Sequence, residues 1–360
     1  MKKILFLFLS ISIIVSCNNE TYKHNKGDKK AKNVILFIGD GMSVTHLYAA
    51  MTVSEAPLHI EQLKYTGMHK TYSASDYITD SGAGGTALAT GKKTKNGHIG
   101  CDSLGNHFKS ILKYAEDAGL STGLVSTSSI LHATPAAFIA NNVSRNNYQE
   151  IALDFLKTDI DLFIGGGRKD FEDREDGLNL IDSLKRREYK VTTTVEEINL
   201  ADYQKFAVLT AEKHNPEYRD GRGDMLPKAT AKAIEVLSRN KNGFFMMVEG
   251  SQIDWGGHDN DIDYILTELL DFDRAVGKAL EFAEKDGETL VIVTSDHETG
   301  GLTLTGGDIH KRTIEVNFST DYHTADMVPV FAYGPGAEKF TGIYENTDVF
   351  HKMMKSLGLE

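Results

Sequence analysis

The residues with the most chemical potential in this chain are carboxylates and imidazoles gathered in a few short, glycine-marked stretches. The densest runs from Glu249 through Gly250, Asp254, Trp255, Gly256 and Gly257 to His258, two carboxylates and an imidazole within ten residues. Its glycines let the backbone approach a bound group closely. Asp254 and His258 are four apart, so one helical turn aims both at one ion, and an Asp/His donor set suits zinc. Asp40, in Gly39-Asp40-Gly41, and the pair Asp296-His297 add further ligand types. Taken singly, each is an ordinary turn former or helix cap, and His323 in Asp321-Tyr322-His323-Thr324-Ala325 is an ordinary loop histidine. They gain meaning as a set. Ser81 sits in Asp80-Ser81-Gly82-Ala83-Gly84-Gly85. It reads either as the N-cap of a glycine-rich turn or as a hydroxyl at a helix N-terminus, where the dipole and free N–H groups favour an alkoxide and an incoming phosphate. No histidine lies near it in sequence, so a metal lowering the hydroxyl's pKa would take the role of base.

The elements that must position these groups are short apolar runs alternating with longer amphipathic stretches. Val34–Ile38, Thr122–Ser126, Asp161–Ile164, Phe244–Val248, Leu290–Thr294 and Val328–Tyr333 read as buried strands. Ser110–Ala118, Ala229–Ser238 and Ile262–Lys285 read as helices. The alternation predicts an α/β sheet covered by helices. Three of the strands stop at Asp40, Glu249 and Asp296, and the carboxyl ends of parallel strands are where such folds put their sites. Residues 169–224 are charged and weakly patterned; peripheral excursions without chemistry are expected there.

At 360 residues the chain suffices for one large core. Its formal charge of −12 argues against nucleic-acid recognition, while clustered carboxylates become anion sites once divalent cations bind. Residues 1–16 carry Lys2 and Lys3, an apolar run from Ile4 to Val15 and a small Ser16, as in a secretory leader. Ile14-Val15-Ser16-Cys17 resembles a lipobox, which implies cleavage before Cys17 and lipid on its sulfur; a plain leader is the alternative. The expectation is an exported protein of the periplasm or cell envelope, anchored to a membrane through Cys17. Residues 17–32 read as a flexible tether and 33–360 as the folded domain. Without Cys17 only Cys101 remains, so no intrachain disulfide forms.

Asp40-Gly41-Met42, Asp80-Ser81-Gly82, His132-Ala133-Thr134-Pro135-Ala136, Ser144-Arg145, the stretch from Glu249 to His258, Asp296-His297-Glu298-Thr299-Gly300 and His323-Thr324 follow one another in the order and local spacing of alkaline phosphatases. The resemblance runs from about Asn33 to about Pro335. It implies a single domain with a central, mostly parallel sheet sandwiched by helices, a homodimer, and two zinc ions and one magnesium per chain. By matching position, Asp254, His258 and His323 would hold one zinc. Asp40, Asp296 and His297 would hold the second, with Ser81 as its remaining partner. Asp40, Thr134 and Glu249 would hold the magnesium, and Arg145 would grip two phosphate oxygens, a task suited to its planar fork. The reaction implied is in-line attack by Ser81 on a small phosphate monoester, then hydrolysis of the phosphoserine at alkaline pH.

Two positions depart from the enterobacterial pattern: His132 stands where an Asp precedes Ala-Thr-Pro, and Trp255 where a Lys follows the ligand Asp. Both are expected beside the ligands, with weaker phosphate retention and a looser or zinc-admitting third site as consequences. Relative to longer members the chain lacks a large lid region, which implies a more open site. A sulfatase is disfavoured because Ala83 and Gly85 stand where its Pro and Arg would be. Diesterases of the superfamily commonly use Thr and lack the arginine and third-metal ligands. A phosphate- or zinc-sequestering surface protein would need no Ser81.

Overall fold

The structure is a computed structural model that describes residues 30–201 and 203–360. The expected leader, Cys17 and all but the last residues of the expected tether lie outside the described residues. The chain is already packed at Ala31, which is buried and donates its N–H to Ser356 O at 2.8 Å.

The strands are β1 (Asn33–Gly39), β2 (Tyr65–Lys70), β3 (Ser121–Ser129), β4 (Leu162–Gly166), β5 (Tyr189–Thr192), β6 (Lys205–Leu209), β7 (Phe244–Gly250), β8 (Thr289–Thr294), β9 (Glu298–Thr299), β10 (Thr303–Asp308), β11 (Thr313–Asn317), β12 (His323–Thr324), β13 (Val328–Tyr333) and β14 (Gly342–Glu345). Ten of them form one sheet in the order β14-β2-β13-β8-β1-β7-β3-β4-β6-β5. All of its pairings are parallel except those of β13, which runs against both β8 and β2. β1, β7 and β8 are buried at every residue. That is why their sequences read as unbroken apolar runs: a parallel sheet covered on both faces leaves no polar side.

The helices are α1 (Val44–Val53), α2 (Ser81–Thr90), α3 (Ile111–Asp117), α4 (Ala133–Ala136), α5 (Tyr148–Asp154), α6 (Arg168–Glu172), α7 (Leu180–Arg186), α8 (Met225–Leu237), α9 (Gln252–His258), α10 (Ile262–Asp286) and α11 (Asn346–Leu357). Alternation along β1 divides the core. Val34, Leu36 and Ile38 meet Leu88 of α2, Leu112 of α3 and Met353 of α11, whereas Ile35 and Phe37 meet Leu47 of α1, Leu226 of α8 and Phe272 of α10. The sandwich is thus set by period-two strands against period-3.6 helices.

Two expectations are corrected. The helix anticipated over Ala229–Ser238 begins at Met225, because Pro227 falls in its first turn, where no intrahelical partner for an N–H is lost. Residues 169–224 are not mere excursions: they supply β5 and β6 at one sheet edge, with Phe206 and Val208 fully buried. Strands this short give no alternation to read among their charged neighbours.

The turn Tyr218–Arg222 is tied to α10 by a buried ion cluster. Arg222, its side chain 1% exposed, reaches Glu268 Oε2 at 2.5 Å and Asp271 Oδ2 at 3.1 Å. Burial pushes both carboxyl groups above their usual range, and the guanidinium opposes that shift. Removing it leaves uncompensated carboxylates. Arg222→Ala is therefore expected to lower unfolding stability by about 3–5 kcal/mol, read from the denaturant midpoint; a loss under about 1 kcal/mol would show that the cluster is not a structural tie.

Candidate active site

Asp40 follows β1, Glu249 is the penultimate residue of β7, and Asp296-His297 follow β8. The three strands are adjacent and parallel, so their carboxyl ends deliver these groups to one place. α9 brings Asp254 and His258, and β12, paired with β9, brings His323. Gly41 takes a positive φ of +74°, and a Cβ there would meet Thr299 Oγ1 at 2.7 Å and the Asp254 Cα at 2.8 Å. The turn after Asp40 needs glycine both for its backbone and for its neighbours.

Ser81 is the first residue of α2. Asp80 caps the helix: its Oδ1 accepts from Ala83 N at 2.9 Å, and its Oδ2 accepts from Gly97 N and from Arg145 Nη1, both at 3.0 Å. The helix is buried along its whole length. Gly84 lets it lie against the Asp296 backbone, since a Cβ would stand 3.0 Å from Asp296 Cβ. This seats the Ser81 hydroxyl 3.2 Å from His297 Nε2.

Among the described residues three sets bring their ligand-capable atoms within 4.8 Å of one another: Asp40, Asp296 and His297; Asp254, His297 and His323; and Asp40, His132 and Glu249. His258 joins the second set, with Nε2 3.5 Å from Asp254 Oδ1 and 3.2 Å from His323 Nε2. The Nδ1 of His258 is 2.7 Å from Asp321 O and that of His323 is 2.8 Å from Thr79 O. Carbonyls only accept, so each Nδ1 carries the proton and the two Nε2 lone pairs face each other. With both rings neutral, a bound cation relieves that opposition. In the same way Asp40 Oδ1, Asp296 Oδ2 and Glu249 Oε1 are buried acceptors without a donor.

The electrostatics agree. Burial, then the charges of Asp296 and Asp254, hold Asp40 well above the usual carboxylate range. Asp296 is pushed up to about 7 by burial and then by Asp254, and burial raises Glu249. His297 is pushed well below its usual value by burial and then by His323. Acids that resist ionising beside bases that resist protonation describe a pocket for added positive charge. Carboxylate, imidazole and hydroxyl donors fit zinc and magnesium.

Arg145 lies between Asp80 and His132 Nε2, the latter 3.3 Å from its Nη2. Burial disfavours its charge, but Asp80, together with Asp40 and Asp254, more than offsets that and the guanidinium stays ionised. Thr134 Oγ1 is 3.5 Å from Asp40 Oδ2, and Ser126 donates to Glu249 Oε2 at 2.7 Å. His132, anticipated beside the ligands, comes within direct reach of Asp40 and Glu249. Trp255, on α9, faces the His132 ring at 6.1 Å. Sequence reasoning passed over Thr299, which donates to Asp254 Oδ1, and Ser126, Asp80 and His214. Only Asp80 and Thr299 carried a signal, as neighbours of the named motifs.

The family model described as alkaline phosphatase matches residues 31–317 and 308–359. The chain is 36% identical over 418 residues to alkaline phosphatase 4 of Bacillus subtilis strain 168, covering 92% of this chain and 90% of that one. It is similar to the structure of alkaline phosphatase from the Antarctic bacterium TAB5, with a TM-score of 0.88, 43% identity and coverage of 92% and 100% of the two chains. A variant of the TAB5 enzyme with aspartate in place of a histidine has been solved with Mg bound in its M3 site; it matches at a TM-score of 0.88 and 42% identity, covering 92% of this chain and 99% of that one. Fold, cation-demanding clusters and matched sequence converge: the chain belongs to the alkaline phosphatase family.

Proposed function

We propose that the protein is an exported, metal-dependent phosphomonoesterase that hydrolyses small phosphate monoesters through a phosphoserine on Ser81. The observation that carries this is the Ser81 hydroxyl, at a helix N-terminus and 3.2 Å from His297 Nε2, beside buried oxygens that lack donors. Asp254, His258 and His323 would hold one zinc; Asp40, Asp296 and His297 the second; Asp40, Thr134 and Glu249 a magnesium, with His132 in reach. Such ions lower the pKa of a hydroxyl or water and neutralise charge on phosphoryl oxygens.

The chain's own groups do the rest. Ser81 Oγ attacks phosphorus in line with the departing oxygen and forms the phosphoserine. Arg145, ionised and pinned on Asp80, offers its fork to two non-bridging oxygens. A water entering where the alcohol left then hydrolyses the phosphoserine, freeing inorganic phosphate and restoring the Ser81 hydroxyl. Export and a lipid anchor on Cys17 rest on the leader sequence, and a homodimer on the family resemblance.

Metal-replete protein at pH about 9 is expected to turn over a chromogenic phosphomonoester far faster than the matching diester or sulfate, and to lose and regain that activity on chelation and metal return. Ser81→Ala should cost about 10³-fold or more in kcat. Negligible monoester turnover by metal-replete protein would sink the proposal.

The chelated protein should also show the strain of its site. Between about pH 4 and about 7, folded Asp296 keeps a proton that the unfolded chain has released, so its contribution to stability falls as pH rises. Buried neutral histidines such as His46 and His69, both lowered to about 4, act in the opposite sense, but they cancel between wild type and a variant. Without metal, Asp296→Asn is expected to melt higher than wild type by a margin that grows across this window, and with zinc present to melt lower. A margin independent of pH would contradict the assignment.

A further inference from the structure

His214 belongs to none of the metal-capable sets, yet it is fastened with unusual care. It lies in the connection between β6 and α8, and this segment presses on the strand ends. Arg168 N donates to Ala211 O at 3.1 Å, Lys169 N to Glu212 O at 3.0 Å, and Gln252 Nε2 to Asn215 O at 2.9 Å. Gly166 at the end of β4 makes room: a Cβ there would stand 2.0 Å from Lys213 O. Ser129 N, at the end of β3, donates to His214 Nδ1 at 3.0 Å, which fixes the ring's rotation and puts its proton on Nε2. Burial and then Lys213 lower its pKa, so the ring is neutral.

Three rings stand edge-on to this imidazole: Trp255 at 4.9 Å and 87°, His132 at 5.8 Å and 84°, and Tyr148 at 6.5 Å and 78°. Trp255 and His132 also meet each other at 6.1 Å and 84°. His132 needs this support. Its Nδ1 is buried without a hydrogen-bond partner, and its Nε2 faces Arg145 Nη2 at 3.3 Å. Its one ring hydrogen bond is to Arg145, the group it has to place, so packing against its aromatic neighbours orients the ring. Arg145, in turn, is pinned by Asp80 on one side and His132 on the other.

We infer that His214 is a positioning residue for phosphate binding: its anchored ring holds His132 upright, and His132 holds the Arg145 guanidinium in register with the phosphoryl group. The inference rests on Arg145 being the phosphate grip. His214 touches no substrate atom; it acts through a chain of two contacts, so its loss frees Arg145 to swing about Asp80.

The test uses full-length protein loaded with zinc and magnesium, measuring inhibition by inorganic phosphate together with KM and kcat for an aryl phosphate. His214→Asn keeps an acceptor near the Nδ1 position for Ser129 N–H but removes the ring; His214→Phe keeps the ring edge and removes the acceptor. His214→Asn is expected to raise the phosphate inhibition constant and KM about tenfold, with kcat changed much less. His214→Phe should restore most of that loss, and in an Arg145→Ala background His214→Asn should add nothing. Unchanged phosphate inhibition in His214→Asn, no rescue by His214→Phe, or the same added loss with and without Arg145 would each overturn the inference. If Arg145→Ala itself leaves phosphate inhibition intact, the grip assigned to Arg145 is what fails, and the inference falls with it.

Discussion

Carboxylates without donors and imidazole lone pairs without protons are crowded into one water-poor place, and that repulsion is the constraint on which the molecule is organised. Asp40, Asp296 and Glu249 hold orphaned oxygens, and the Nε2 atoms of His258 and His323 oppose each other at 3.2 Å. An arrangement this unfavourable persists only because the surrounding sheet over-determines it. β1, β7 and β8 supply that rigidity: buried throughout and hydrogen-bonded on both sides, they cannot splay to relieve the charge at their ends. The helices complete the frame. α2 lies on Asp296 through a glycine, and α9 sets Asp254 and His258 on one turn.

Around the cation-demanding centre the polar groups are held with increasing latitude. Asp254 is fixed by Thr299 and Glu249 by Ser126, each with a hydrogen bond from a buried hydroxyl. Arg145 is less confined, with a side chain 22% exposed between Asp80 and His132. The gradation suits the roles proposed for these groups: residues that are to ligate an ion must not move when it arrives, whereas one that is to receive a mobile anion must admit it first.

How much of this was legible in sequence depended on the range of the interaction. The central strands could be read because burial on both faces writes itself as consecutive apolar residues, and the acids at their ends followed from the sheet's polarity. β2 could not: its pattern is half exposed, and it forms only because β13 and β14 flank it. β5 and β6 are too short to declare a period. The metal-capable residues stood out by type and by the family motif, Ser81 by its glycine-rich helix start. His214 left no mark, because its role is geometric, an imidazole in an undistinguished loop brought against Trp255 and His132 by contacts some forty to eighty residues away in sequence.

The order in which the chain supplies the site has its own consequence. Asp40 directly follows the first strand and His323 lies in the twelfth, with the other donors spread between them. Contacts of that separation carry a large loop-closure cost and slow folding. A chain arrested before β12 docks would own much of the core but lack one wall of the cation cage. Turnover is therefore a gauge of complete folding: a defect that keeps β12 from docking removes active molecules, whereas a change within an assembled site leaves every molecule present and alters its rate or binding.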